Sequence, residues 1–176
     1  GEMNIDRKDL TPETRIAIIA LSDALEITLL EEVREKNGDA YTPSVGVWSQ
    51  SLPTAQVSWK FSIGCDPDKI QKVEKDCIDI LKQYQKKGPD TKTLTKVKEQ
   101  MIVNFGTQRQ NNSYWLGALS NEYYYNESRD YLAHYEDIVR SITAEQLRDL
   151  AKKYINLKNY VSVSLRPENP DAGQAE

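Results

Sequence analysis

Few residues in this chain are able to do chemistry, and counting them removes most mechanisms. It holds one histidine, His134, in the run Tyr131-Leu132-Ala133-His134-Tyr135-Glu136. Zinc hydrolysis takes three protein ligands drawn from His, Cys and carboxylates plus a water, and its usual local devices set two His on one helix face. A lone His cannot complete such a pair, so no catalytic residue and no metal ligand is assigned in this chain. His134 has the chemistry to serve as the base for a Ser or Cys nucleophile. No G-x-S-x-G elbow accompanies it, however, and it is expected as an ordinary surface or partly buried helix residue. Gly-rich phosphate loops are absent as well. Glu31 and Glu32 are adjacent, and neighbouring helix residues diverge, so they are expected on a solvated edge rather than as an acid and base pair. Cys65 and Cys77 are too few for a disulfide framework and lack metal-site spacing. Buried free thiols are expected, with a single bridge as the alternative.

Two further residues, Arg34 and Tyr41, lie seven apart. On residue type alone Arg34 pairs with a carboxylate or with the last carbonyls of a helix, and Tyr41 is a packed strand aromatic. Their positions also permit another arrangement, because Arg34 falls in the last turn of a long helix and Tyr41 begins the next strand after a reversal at Gly38. Both are then able to face one cavity.

The elements that would position them follow from periodicity and punctuation. Thr11-Pro12-Glu13 supplies an N-cap and a proline at the first helical position, and the helix is predicted to run to about Lys36, with Asn37-Gly38 as its C-cap. Ile18, Leu21, Leu25, Leu29 and Val33 form one stripe, widened by Ile16, Ile19, Ile27 and Leu30, so the helix should be central and buried. Tyr41 to Ser49 and Ala55 to Ile63 are predicted as an antiparallel strand pair. In the second, Ala55, Val57, Trp59, Phe61 and Ile63 alternate with polar residues, and Pro53 falls in the connection. A second helix opens at Asp66-Pro67, carries Ile70, Val73, Cys77, Ile80, Leu81 and Tyr84 on one face, and stops at Gly88-Pro89. Thr91 to Gln108 reads as an outer helix, and more helix is expected over Tyr114 to Tyr124 and Arg129 to Val139. Thr143 with Gln146 starts another, and Tyr160 to Leu165 is expected as a strand returning to the sheet. The layout is α+β, an antiparallel sheet covered by helices. Trp115 and Tyr123-Tyr124-Tyr125 are core or domain-interface aromatics, interface being favoured.

At 176 residues the chain fits one domain, placed at residues 1–166, with Pro167 to Glu176 as a polar tail or linker. Only Gly1 to Leu10 precedes the first helix. Lys+Arg 23 against Asp+Glu 27 gives a net charge of -4 without a basic stripe, so nucleic acid is not an expected partner. The most apolar stretch, Ile16 to Leu30, is interrupted by Ser22, Asp23 and Glu26 and falls short of the roughly 20 apolar residues that span a bilayer. Gly1-Glu2-Met3 shows no signal-peptide pattern; the compartment is left open, with the periplasm or another exported location among the options.

The run Arg34-Glu35-Lys36-Asn37-Gly38-Asp39-Ala40-Tyr41 resembles the R-E-x-x-G-x-x-Y pattern of the pitrilysin/insulinase family of zinc metallopeptidases. The likeness continues in family order through the alternating strand, Cys65-Asp66-Pro67-Asp68, Gly88-Pro89-Asp90, Lys96-Val97-Lys98-Glu99-Gln100, Asn112-Ser113-Tyr114-Trp115 and the helix Thr143 to Tyr154. It covers about residues 12–166. The resemblance implies a C-terminal, non-zinc-binding domain of such an enzyme, which binds substrate but is inactive alone because it lacks the zinc motif. Zn2+ and the HxxEH site are implied in a partner N-terminal half, in the same or another chain, the halves closing on a peptide substrate in a chamber. It also implies that Arg34 and Tyr41 are substrate-binding residues, reaching the peptide backbone near the scissile bond. A catalytically silent scaffold or assembly subunit of the same fold is the alternative.

Overall fold

The computed structural model describes residues 2–4, 6–36, 41–125 and 128–166. A short strand, β1 (Glu2–Asn4), occupies the stretch ahead of the first helix and pairs antiparallel with β3. Helix α1 (Pro12–Leu29) starts as predicted, with Thr11 Oγ1 accepting from Thr14 N at 3.2 Å. Its continuation to Lys36 is not α-helical: Leu30–Lys36 winds as a π-helix, a rare geometry that is frequent at functional sites. The predicted cap Asn37-Gly38 lies outside the described residues.

Strands β2 (Ser44–Gln50) and β3 (Gln56–Ser62) form the predicted antiparallel pair, Val47 facing Trp59, and the sheet order is β1-β3-β2. Their connection holds a cis Leu52-Pro53 peptide bond. On β3 the alternation resolves as anticipated, with Val57 and Trp59 buried and Lys60 and Ser62 exposed. The outer edge of β2 is met by α1: Val45 N donates to Glu26 Oε2 at 2.8 Å, and Val45 O accepts from Ser22 Oγ at 3.2 Å. Two polar side chains on an apolar helix are thereby used to satisfy a strand edge.

Beyond the sheet come α2 (Ile70–Lys87), α3 (Thr91–Gln108), α4 (Asn112–Tyr125), α5 (Tyr135–Ser141) and α6 (Ala144–Tyr154). Helix α1 packs against β2, α2, α3, α5 and α6. Ile18, Leu21, Leu25 and Leu29 are almost wholly buried there, together with Val57, Tyr84, Val97, Leu147 and Tyr154. The buried Tyr84 phenol donates to Ala24 O at 2.7 Å and meets Thr28 Oγ1 at 2.5 Å, which ties α2 to the last turns of α1.

Gly88 ends α2 at φ 73, and a Cβ placed there would stand 2.3 Å from Ala144 O. Only glycine satisfies both the backbone and the close approach of α6. Asp90 caps α3, its Oδ1 accepting from Thr93 N at 2.7 Å, and Thr143 caps α6 through Gln146 N at 3.1 Å. Gln85 Nε2 donates to Ile155 O at 2.7 Å and so closes the other end of α6.

The predicted final strand is absent. Tyr160–Leu165 carries no strand pairing, and Val161, Val163 and Leu165 are 85%, 80% and 94% exposed. Alternation alone does not make a strand; it needs a partner strand to pair with, and this segment has none among the described residues.

Candidate functional site

The candidate site lies where the end of α1 passes into the hairpin. Val33 is fully buried in the π-helical turns, so the backbone of that segment is anchored to the core one residue before Arg34. The backbone of Arg34 belongs to those turns, and its side chain lies outside the described residues. Glu31, on the same segment, accepts from Lys96 Nζ of α3 at 2.6 Å, and that bond holds its carboxyl below the usual range. The Glu31 carboxylate is thus an ion-pair partner rather than an acid and base candidate.

Tyr41 precedes β2 instead of opening it, since the strand begins at Ser44. Tyr41 N donates to Gly64 O at 2.8 Å, which pins its backbone beside the end of β3. The side chain is 63% exposed, so it is not the packed aromatic that residue type alone suggests. Its phenol donates to Asp66 Oδ1 at 2.7 Å. That bond, and the carboxylate charge behind it, raise the phenol's pKa, keeping it a protonated donor. Asp66 in turn lies 3.5 Å from Lys69 Nζ, and its own carbonyl accepts from Lys69 N at 2.9 Å, where the chain turns into α2.

Asp66 was legible only as a helix-start residue. The structure gives its side chain no capping bond and gives it Tyr41 instead. A sequence separation of 25 offers no local signal for such a pair.

The remaining chemistry-capable residues stand apart. His134 is exposed at the end of a short 3-10 turn, Asp130–His134. Cys65 and Cys77 are not joined in a disulfide and are only partly buried, and burial, followed by the charge of Asp76, pushes the Cys77 thiol up to about 12. Such a thiol is a poor nucleophile and a poor metal ligand. Among the described residues no group of three or more His, Cys, Asp and Glu is placed to hold a metal ion, and no helix is long and apolar enough to cross a membrane.

A domain with this helix-hairpin-helix arrangement, carrying no metal centre among its described residues, matches the family model for the peptidase M16 inactive domain over residues 6–101, more than half of the chain. The chain belongs to that family. It is a non-catalytic domain of the pitrilysin type, and its α+β fold, an antiparallel sheet under helices, is the one seen in solved relatives. The periplasmic protease PqqL from Escherichia coli aligns with a TM-score of 0.68 and 17% identity, over 83% of this chain and 16% of that chain. A peptidase M16 inactive domain from Pseudomonas fluorescens aligns with a TM-score of 0.66 and 23% identity, over 88% of this chain and 36% of that one. A protease from Helicobacter pylori aligns with a TM-score of 0.69 and 18% identity, over 88% and 37%. The chain thus spans well under half the length of these proteins. Among curated proteins no match is found.

Proposed function

We propose that this M16 inactive domain is the substrate-contacting, non-catalytic part of a zinc metallopeptidase that hydrolyses peptides in a closed chamber, with Arg34 and Tyr41 as the residues that meet the peptide. The observation that carries this reading is the exposure of Tyr41, whose backbone is pinned to Gly64 at the end of β3. A tyrosine retained for packing is normally covered. This one has a fixed backbone and an uncovered phenol.

The chemistry suits the role. A guanidinium offers a planar fork of donors to a peptide carbonyl, and a phenol adds one donor where negative charge develops on the carbonyl oxygen. In this reading the Zn2+ and the water it activates belong to a zinc-bearing partner half, in the same or another chain.

The test compares cleavage of a peptide by the full-length enzyme with cleavage by its Arg34→Ala and Tyr41→Phe forms. Each is expected to lower kcat/KM by about a hundredfold, the usual cost of losing one oxyanion donor. Unchanged turnover in both would sink the assignment and return the domain to the scaffold reading.

A further inference from the structure

The phenol of Tyr41 has one hydrogen, and in this structure that hydrogen is already used. It points at Asp66 Oδ1 over 2.7 Å, and hydrogen bonds to a carboxylate are shorter and stronger than those between neutral groups. A donor committed in this way is not free to stabilise a peptide carbonyl or the oxyanion that forms from it. We propose that Asp66 is a resting-state latch on Tyr41, holding the phenol hydrogen until an arriving peptide carbonyl takes it over. The inference rests on the assignment of Tyr41 to substrate contact and names a regulator of that contact.

The geometry favours a latch that opens. Both groups are substantially exposed, Tyr41 at 63% and the Asp66 side chain at 49%, so water and substrate reach the bond and neither partner is left buried and unsatisfied when it breaks. The backbone on each side is fixed: Tyr41 N is held by Gly64 O, and Asp66 O receives Lys69 N at the start of the next helix. Opening therefore needs only rotation of the phenol. Asp66 also has somewhere to leave its charge, because Lys69 Nζ stands 3.5 Å from its second oxygen. The raised pKa of the phenol follows from the same contact and keeps the hydrogen present to be handed over.

Asp66 acts through Tyr41 and is a positioning residue, and its substitution is separable from loss of the fold because its side chain makes no capping bond. Asp66→Asn keeps shape and replaces the charged acceptor with a neutral one. In the full-length enzyme it is expected to raise kcat/KM about two- to fivefold, the difference between a charged and a neutral acceptor at an exposed site. The gain should vanish in a Tyr41→Phe background. If Tyr41→Phe lowers turnover but Asp66→Asn leaves it unchanged or lowers it, the latch is overturned and the substrate-contact reading stands. If Tyr41→Phe has no effect, the latch and the assignment of Tyr41 to substrate contact both fall, and Arg34→Ala alone decides whether the domain meets the peptide. A readout independent of turnover is the titration of labelled Tyr41 followed by NMR in the intact protein. Asp66→Asn should bring the phenol back to the ordinary range near 10, and an unmoved titration overturns the latch whatever the activity does.

Discussion

Helices α1 and α4 are both rich in apolar residues, yet they occupy opposite environments. Along α1, Ile16, Ile18, Leu21, Leu25 and Leu29 are buried, enclosed by one strand and four helices. No residue of α4 is buried, and Leu116, Leu119 and Tyr123 are 66%, 49% and 91% exposed. Helix α4 is held by an edge contact of Tyr114 with Phe105 at 6.1 Å, by Trp115 Nε1 donating to Arg109 O at 2.7 Å, and by the Arg129–Glu122 ion pair beyond its end. The difference teaches that apolar composition proposes burial and neighbours grant it. Large exposed apolar patches are typical of contact surfaces, and we keep Trp115 and Tyr123-Tyr124-Tyr125 as a proposed interface.

The comparison breaks first at Leu25. Leu25→Ala in the middle of α1 should cost about 2–5 kcal/mol, from lost burial and the cavity left behind, read as a fall in the urea midpoint at unchanged slope. A cost under about 1 kcal/mol would mean that α1 is not the centre of the core. Gly88→Ala comes next, at about 2–3 kcal/mol, because the added Cβ meets the Ala144 carbonyl and the backbone has φ 73. Thermal unfolding measures it, and an unchanged Tm would show that α2 and α6 do not abut as described.

Asp23 sharpens the picture within α1 itself. Burial first, and the nearby Glu26 charge second, push its carboxyl up to about 6 from 3.8. The folded state therefore binds this proton more tightly than the unfolded one. Its contribution to stability is fully present below about pH 4 and is lost as pH rises to about 6. Asp23→Asn should remove that slope and stabilise the protein at pH 7 by on the order of 1 kcal/mol, discounted for the part of the group that water reaches. Denaturant titrations at pH 4.5 and 7 with a constant difference between the two proteins would refute it. The smallest effect belongs to α4: Leu119→Ala should change stability by less than about 0.5 kcal/mol, and a core-sized loss would show that its face is covered.

Much of this fold was legible because its signals are local. The Thr11 and Thr143 caps, the stop at Gly88-Pro89, the alternation on β3 and the bounds of α3 depend on residues a few positions apart, and each is found where periodicity and capping place it. Tyr160–Leu165 failed because a strand is a pairing and the alternating residues state only a willingness to pair. The π-helical winding of Leu30–Lys36 also left no mark, since apolar spacing there fits either helix over so short a span.

For the candidate site the division is sharper. The amino-acid sequence by itself determined that one histidine cannot complete a two-His zinc device, that α1 is central, and that Arg34 and Tyr41 lie seven apart. Only the tertiary structure decided that Tyr41 is uncovered and that its hydrogen goes to Asp66. The physical reason is range. Capping, periodicity and residue counts act within a few positions, whereas exposure and the choice of a hydrogen-bond acceptor depend on which distant segments the closed core brings alongside.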